Sequence, residues 1–481
     1  MLADKDVCIG CSACASVCPN EAITMHYNSE HFLFPEIDTK KCIHCGLCSD
    51  ICPIISPNVA LESHNLEIFS GHFTDINKTL QSSSGGFITA LAEEVIRKNG
   101  VVYGVVYDFN FSKACYKRVD TIDGLNDMKG SKYIMSEILP ETYADVKSDL
   151  LANREVLFVG CPCEVYALKN FLGKNYDNLL TCDLICQGGT TPKALSLFVK
   201  SIEEKFNSKT VYLNMRAKKA GRSNPYMMMM MMESGDSYFV PLGDTDFDVA
   251  FRNIKRPSCY NCHFKMPNNV GDFTAGDHIG MSEGDSCYHE AGVSIIFCHT
   301  MKGIQWINQL TEFSKMEETY ERAAGIQACL KDNIQKPIYY EEFLKLMHSD
   351  GLAKAAEYVR DEKNICFYNA VKSLEKKSYN TELRLVIWGV GKYFEMTYEE
   401  VKRQFPNAVI VAIVDKYKTG ERHGIRIITP EELIKHSFNH VLITTVAGQT
   451  EAIKTLSTIF DDTVEEFYTL VMLQSDIAHI K

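Results

Sequence analysis

The chain has 481 residues, of which 46% are hydrophobic and 23% charged, and its formal net charge is −12. That balance excludes a wholly disordered chain, and the surplus of acid argues against a nucleic-acid backbone as the main partner. No apolar run approaches the roughly 20 residues of a membrane helix, and the opening MLADKDVC has neither half of a secretory signal, so a cytoplasmic, not membrane-spanning protein of about three domains is expected.

The 19 cysteines come first in chain order, because eight of them lie within the first 52 residues. Without a secretion signal, such density points to metal or redox chemistry rather than disulfides. Cys8, Cys11, Cys14 and Cys18 form one run ending in Pro19; Cys42, Cys45, Cys48 and Cys52 form a second ending in Pro53. Each is C-x2-C-x2-C-x3-C-P, the spacing of a bacterial two-cluster ferredoxin, in which the fourth thiolate of each run reaches the other run's [4Fe-4S] cluster. The expected sets are Cys8, Cys11, Cys14 and Cys52 for one cluster, and Cys42, Cys45, Cys48 and Cys18 for the other. A pair of zinc sites is the alternative, but zinc usually takes two separated C-x2-C pairs. His44 reads as a polar spacer, Gly10 and Gly46 as points where backbone approaches a cluster, and residues 21–24 as a short strand. This module spans 1–60.

A connector at 54–66 leads to a central α/β or α+β domain over 67–345. Strands are expected at 101–108, 155–160, 179–186 and 293–298, and an amphipathic helix over 85–100 closed by Gly100. The run Met227–Met232 reads as a soft apolar strand or hairpin. Residues 346–380 read as a charged helical linker. A new unit over 381–481 opens with a strand at 383–391, a helix at 393–405, a strand at 409–416, a helix at 431–436 and a strand at 440–445, which together make a small parallel sheet.

Three features of the central domain carry chemistry. Ser82-Ser83-Ser84-Gly85-Gly86 precedes a helix, where exposed N–H groups favour an anion such as a pyrophosphate; a serine-capped helix start gives the same letters. Cys161, Cys163, Cys182 and Cys186 stand at the ends of strands, where sites assemble in α/β sheets. Cys259 and Cys262 form one C-x2-C, which needs two more ligands; Cys163 and Cys186 would complete a third [4Fe-4S] site. Cys115, Cys287, Cys298, Cys329 and Cys366 read as small buried hydrophobes.

The set SSSGGF (82–87), KGSKY (129–133), GCPCEVYAL (160–168), CQGG (186–189), MRAKKAG (215–221), RPSCYNC (256–262) and AGDHIG (275–280) resembles the coenzyme F-420 hydrogenase/dehydrogenase beta-subunit family. With the N-terminal module, the resemblance covers about 340 residues. It implies a non-covalent FAD, a [4Fe-4S] cluster beside it and a hydride-exchanging substrate. By position, Ser84, Gly85, Gly86, Ser131, Lys132 and Tyr133 would contact FAD. Cys163, Cys186, Cys259 and Cys262 would hold the cluster, and Asp277 would be the catalytic residue near flavin or substrate. Two positions depart from the pattern: Cys161 is an extra thiol that could replace Cys163 as ligand, and Gln187 stands where the family often has His.

In the C-terminal unit Gly389-Val-Gly391 follows a strand and Asp415 ends the next, close to a dinucleotide fingerprint whose third glycine position is Phe394. This unit resembles small Rossmann-like modules of sugar-modifying enzymes in surface-polysaccharide pathways; a docking domain with no ligand is the other reading. The expected fold is therefore a multidomain α/β and α+β chain: a ferredoxin-like dicluster module, a central α/β flavin-binding domain and a C-terminal Rossmann-like domain. The expected function is an iron–sulfur flavoprotein oxidoreductase. It would pass electrons between a ferredoxin-type carrier or partner redox subunit and a small molecule, either deazaflavin coenzyme F-420 or a metabolite such as a surface-glycan precursor. The alternative is a non-catalytic electron-transfer subunit. An oligomer is compatible with either.

Overall fold

The computed structural model describes residues 2–59, 67–219, 221–324, 327–361, 383–391, 393–445, 449–459 and 467–469. Its contacts divide the chain into two compact units, Met1–Ala356 and Glu357–Lys481. Cys366 and residues 362–380 of the expected linker lie outside the described residues; the part before them is helical over Tyr340–Ser349 and 352–361.

In the N-terminal segment the two cysteine runs fold alike. Gly10 and His44, each two residues after the first cysteine, have φ of +70° and +53°; Ser12 and Gly46, each following the second cysteine, have φ of +62° and +84°. Each run then enters one helical turn, Ala13–Ser16 and Leu47–Asp50. Left-handed residues at matching places turn the chain back on itself, so that successive thiols face one point rather than following a helix. Between the runs, Ile23–Tyr27 pairs antiparallel with Leu33–Ile37, which places the expected strand two residues later than 21–24.

The central sheet has nine strands, in the spatial order Phe313–Glu317, Glu67–Phe73, Ser294–Cys298, Phe273–Asp277, Leu179–Leu184, Val156–Gly160, Val101–Tyr107, Ala114–Val119 and Ser136–Glu137. Its middle four strands run parallel from Phe273–Asp277 to Val101–Tyr107, and antiparallel pairs flank them. All four strands expected from hydrophobic runs are present. Val156, Leu157 and Phe158 are fully buried, as fits a sheet covered on both faces. The helix Phe87–Arg97 lies inside the expected 85–100; Asn99, at φ +59°, makes the left-handed turn after it, and the Gly100 N–H donates to Val95 O at 2.9 Å. A separate three-stranded antiparallel sheet joins Thr210–Lys219, Arg222–Met232 and Ser237–Pro241. Met228, Met230 and Met232 are buried and Met231 is exposed, so the methionine run is a strand with one packed face.

The second unit holds a six-stranded sheet in the order Glu421–Arg422, Ile425–Ile428, Val409–Val414, Arg384–Trp388, His440–Ile443 and Phe467–Thr469. All its pairs are parallel except the first. The helix expected at 431–436 is a single 3-10 turn, Glu431–Lys435; only eleven positions separate the strands ending at Ile428 and starting at His440, too few for a longer helix and its two connections.

Gly85 rests against strand backbone. A Cβ there would meet Gly71 O and lie 2.7 Å from Ser294 N, and neither strand can give way without breaking its ladder. Gly85→Ala is expected to destabilise the chain by about 1–3 kcal/mol, as overpacked sites do, with a lower midpoint and an unchanged slope in denaturant unfolding.

Candidate functional site

Cys8, Cys11, Cys14 and Cys52 line one partly open cavity of about 30 Å³ together with Cys48, Met25, Pro35 and Pro53. Burial, with the charges of Cys8 and Cys52, pushes the Cys11 thiol up to about 12, and burial together with Cys11, Cys8 and Cys52 pushes Cys14 up as well. The four thiols expected to share a cluster therefore feel one another. The other set is more open: Cys45 is exposed, and the Cys18 Sγ accepts the Ala22 N–H at 3.3 Å.

The central thiols gather at the ends of two parallel strands, where Gly160 stands opposite Asp183. Cys161 caps the helix Pro162–Leu172 and Cys163 lies in its first turn. The Cys161 and Cys186 sulfurs are 3.7 Å apart, and Cys163 lies within charge range of Cys262, Cys186 and Cys259. Gly188, at φ +80°, lets the Cys186 loop lie on the turn Pro257–Cys259, since a Cβ there would come within 3.0 Å of the Cys259 Cβ. Cys329, expected as packing, is a sixth thiol within charge range of Cys186. Two buried basic residues, Lys255 and Lys265, lie beside this group, and a third, Arg256, has its main chain there. The Lys255 ammonium donates to Gly188 O at 3.2 Å, and burial pushes its pKa down to about 7 while Cys259 and Cys186 oppose that fall. Lys265 donates to Asp332 O at 2.6 Å. Soft thiols with buried positive charge around them fit an anionic iron–sulfur cluster. Among the described residues no three His, Cys, Asp or Glu gather closely enough for one metal ion; a cubane asks for a different arrangement, with its irons at separate corners.

A second site lies at the end of strand Phe273–Asp277. Arg216 grips Asp277 with two bonds, of 2.8 and 2.6 Å, and also donates to the Tyr133 hydroxyl at 3.1 Å. Tyr226 donates to the same carboxylate at 3.3 Å and carries the Arg216 guanidinium on its ring at 3.9 Å. The Ser84 hydroxyl donates to Asp277, and Lys218 donates to Ser84 O at 2.8 Å. Arg216 and Lys218 are two apart on the strand Thr210–Lys219 and so share a face. Burial acts to raise the Asp277 pKa; the Arg216 charge and hydrogen bonds, with those of Ser84 and Tyr226, outweigh it and hold the carboxyl below its ordinary value. Asp277 is thus an ionised anchor at neutral pH and has no proton to supply.

Of the residues expected at FAD, Ser84 and Tyr133 join this site, and the Ser131 and Ser83 hydroxyls meet at 3.2 Å. Several donors are already engaged. The Gly85 and Phe87 N–H groups donate to the Ser294 hydroxyl at 3.0 and 3.4 Å, and the Gly86 N–H donates to Ser83 O at 3.0 Å. The Lys132 ammonium sits among the carbonyls of Asp127, Met128, Lys129 and Gly130, at 2.8–3.3 Å. Burial pushes that amine down to about 7, and Lys218, buried beside Arg216, is also pushed down to about 7. The site suits an anionic cofactor such as FAD in its basic lining, by Arg216 and Lys218, more than in its free donors. Sequence reading passed over Arg216, Lys218, Tyr226 and Arg256, although the alternating R-x-K of MRAKKAG on a strand was a signal for the first two.

In the second unit Gly389, at φ +105°, makes the turn after the first strand. The Asp415 carboxylate accepts the N–H groups of Val390, Tyr417 and Lys418, each at 2.9 Å, so the acid of the fingerprint holds its own turn.

Comparison with known proteins follows this division. Residues 153–322 match the family model for the coenzyme F420 hydrogenase/dehydrogenase beta subunit, C terminus. Residues 153–322 are therefore related to the C-terminal part of that beta subunit. Residues 7–54 match the 4Fe-4S dicluster domain, and residues 381–461 match the C2185-like, N-terminal family. A solved structure of the F420-reducing [NiFe] hydrogenase complex from Methanosarcina barkeri is similar at 16% identity and a TM-score of 0.38, covering 63% of this chain and 94% of that one. No curated protein matches. The chain is therefore an iron–sulfur electron-transfer protein in which a 4Fe-4S dicluster domain precedes a segment related to the F420 hydrogenase/dehydrogenase beta subunit. Among the described residues no helix is long and apolar enough to cross a membrane.

The Arg216–Asp277 pair gives a clear test. Asp277→Asn leaves a buried guanidinium unpaired and is expected to cost about 3–5 kcal/mol at neutral pH. Because the folded pKa lies below the ordinary 3.8, the pair's contribution is present above that value and is lost as pH falls through the folded one. Denaturation curves between pH 7 and pH 2 are expected to show an acid limb in the wild type that is shallower in Asp277→Asn.

Proposed function

We propose that this protein is an oxidoreductase that carries electrons between a ferredoxin-type carrier and a small hydride-exchanging substrate. It would use two [4Fe-4S] clusters in the N-terminal segment, a third at Cys163 or Cys161 with Cys186, Cys259 and Cys262, and FAD near Arg216 and Asp277. The observation that carries the reading is that the dicluster thiols, the central thiols and the Arg216–Asp277 site all lie in one compact unit. When bound, a flavin accepts a hydride and gives up its electrons singly, whereas clusters carry one electron each.

The residues divide the work. The exposed Cys45 puts the second set where an external carrier or partner subunit can reach it. The first set faces inward: Ile9, Ala13, Cys11, Ile51 and Ile54 share a hydrophobic core with Cys163 and Cys262. Lys255, Arg256 and Lys265 offset the charge of the central thiolates. Arg216 and Lys218 offer the N–H donors that a flavin phosphate or an anionic substrate requires, an anion beside Lys218 favouring its protonated form, and Asp277 with Tyr226 fixes the guanidinium in place. The substrate is either a deazaflavin or a metabolite, and the C-terminal Rossmann-like unit is the feature that favours a metabolite.

The non-catalytic electron-transfer subunit is the second reading. The engagement of the Gly85, Gly86 and Phe87 N–H groups and of Lys132 with the protein itself favours it. Cofactor content of protein purified without oxygen separates the two. About 12 iron atoms per chain, three cubanes of four, with about one FAD supports the oxidoreductase; about 8 or 12 iron atoms with no flavin supports the subunit. Cys259→Ser is expected to remove about four iron atoms and leave the rest, as measured by iron and acid-labile sulfide.

A further inference from the structure

The two cysteine runs match in backbone conformation but differ at one left-handed position, which is Gly10 in the first and His44 in the second. A glycine's freedom does not explain the difference, since His44 adopts the same conformation. Arg256 explains it. A Cβ on Gly10 would lie 2.8 Å from the Arg256 Nη1, 2.9 Å from its Cζ and 2.8 Å from Leu33 O, so Gly10 makes room for the guanidinium and for the carbonyl to which it donates.

Arg256 is among the most deeply buried large side chains of the chain, 2% exposed. Its Nε donates to Cys8 O at 2.7 Å and its Nη2 to Leu33 O at 2.8 Å, and the guanidinium lies 4.2 Å from the centre of the Phe34 ring. Its backbone belongs to the other thiol group: the Arg256 N–H donates to Gly189 O at 3.2 Å, and Arg256 O accepts the Cys259 N–H at 2.9 Å. The charges acting on it are those of Cys8, Cys259 and Cys163. One residue therefore has its main chain in the central thiol loop and its cation in the first dicluster loop. Neighbouring contacts tie the N-terminal segment to helices of the central domain, the Tyr143 hydroxyl donating to Cys11 O at 2.6 Å and Asn170 to Ile51 O at 2.8 Å.

We propose that Arg256 is a positioning residue that locks the Cys8/Cys11/Cys14/Cys52 site against the central thiol site and, as a fixed buried cation, raises the reduction potential at that junction. The proposal rests on the cluster assignments made above. A cluster gains negative charge when it takes an electron, so a cation held in a dry setting favours its reduced form. The electron given up at one site is taken up at the next, singly, with no bond made or broken and no proton required; the reductant is the ferredoxin-type carrier already named. Among the described residues the buried Arg and Lys side chains are Arg216, Lys255, Arg256 and Lys265, and of these Arg256 donates to the first run, which makes the two dicluster sites unequal.

The test is an electrochemical titration of the full chain, prepared without oxygen and followed by EPR, for wild type, Arg256→Gln and Arg256→Lys. Cys45→Ser identifies the signal of the exposed set. Arg256→Gln with full iron is expected to lower the potential of a cluster other than the exposed one by the one-electron equivalent of a tenfold change in equilibrium, about 59 mV. Arg256→Lys, which keeps the charge but loses the fork, is expected to shift it less. Unmoved potentials in iron-replete Arg256→Gln, or a shift confined to the exposed set, overturn the proposal. Should Arg256→Gln lose iron, the comparison rests on Arg256→Lys, for which an inward-cluster potential lowered by less than about 59 mV, the one-electron tenfold equivalent, supports the role of the charge and one lowered by that much or more despite the retained charge overturns it. Wild-type iron content separates the layers: fewer than about 8 atoms, two cubanes of four, overturns the cluster reading itself, whereas full iron with unmoved potentials overturns only the role of Arg256.

Discussion

Thiols that bind iron must give up their protons, and burial opposes that. Burial pushes the Cys11 and Cys259 thiols each up to about 12, so a dry thiol site holds its charge only if metal and fixed cations compensate. Much of the first unit follows from that constraint. Lys255, Arg256 and Lys265 are themselves long cationic side chains that a core would otherwise reject, yet each is buried, with its donors on carbonyl oxygens. The glycines that look like loop residues serve the same end: Gly10 admits a guanidinium and Gly188 admits Cys259.

The second polar centre obeys a related rule with different chemistry. Arg216 is almost fully buried and is held by a bidentate carboxylate, the Tyr226 ring beneath it and the Tyr133 hydroxyl, while the Tyr226 hydroxyl donates to the carboxylate. Such a pair is stable only while both partners are present. It also rigidifies the end of the sheet, because Asp277, Ser294 and Gly71 are opposite one another on three adjacent strands and Gly85 is packed onto the last two. The three-stranded methionine-rich sheet has a clear purpose in this arrangement, since its strand Thr210–Lys219 carries Arg216 and Lys218 to the site.

Legibility varied with the range of the interaction. The dicluster runs were readable because all eight ligands and their turns lie within 52 residues, and the matching left-handed positions show the local geometry that the spacing encodes. The parallel strands were readable because a sheet buried on both faces writes a continuous apolar run. The serine–glycine segment was harder. Its letters suit an anion site, but its two glycines answer to close packing on Gly71, Ser294 and Phe73, of which Ser294 comes from 209 positions away. Lys132, placed at FAD by the resemblance, uses its ammonium to close the turn just before it.

Sequence by itself determined the cysteine spacing, the buried strands, the alternation of the Rossmann-like unit and the family of the central domain, because each is a pattern of neighbours in the chain. Tertiary structure alone decided which distant groups meet: Cys186 with Cys161, Arg216 with Asp277, Cys329 with the central thiols, and Arg256 with Cys8 across 248 positions. The physical reason is that a buried charge has no preference for a partner near in sequence. It takes whichever dipole or opposite charge the packing of the core delivers, and that packing is settled only when the whole sheet is assembled.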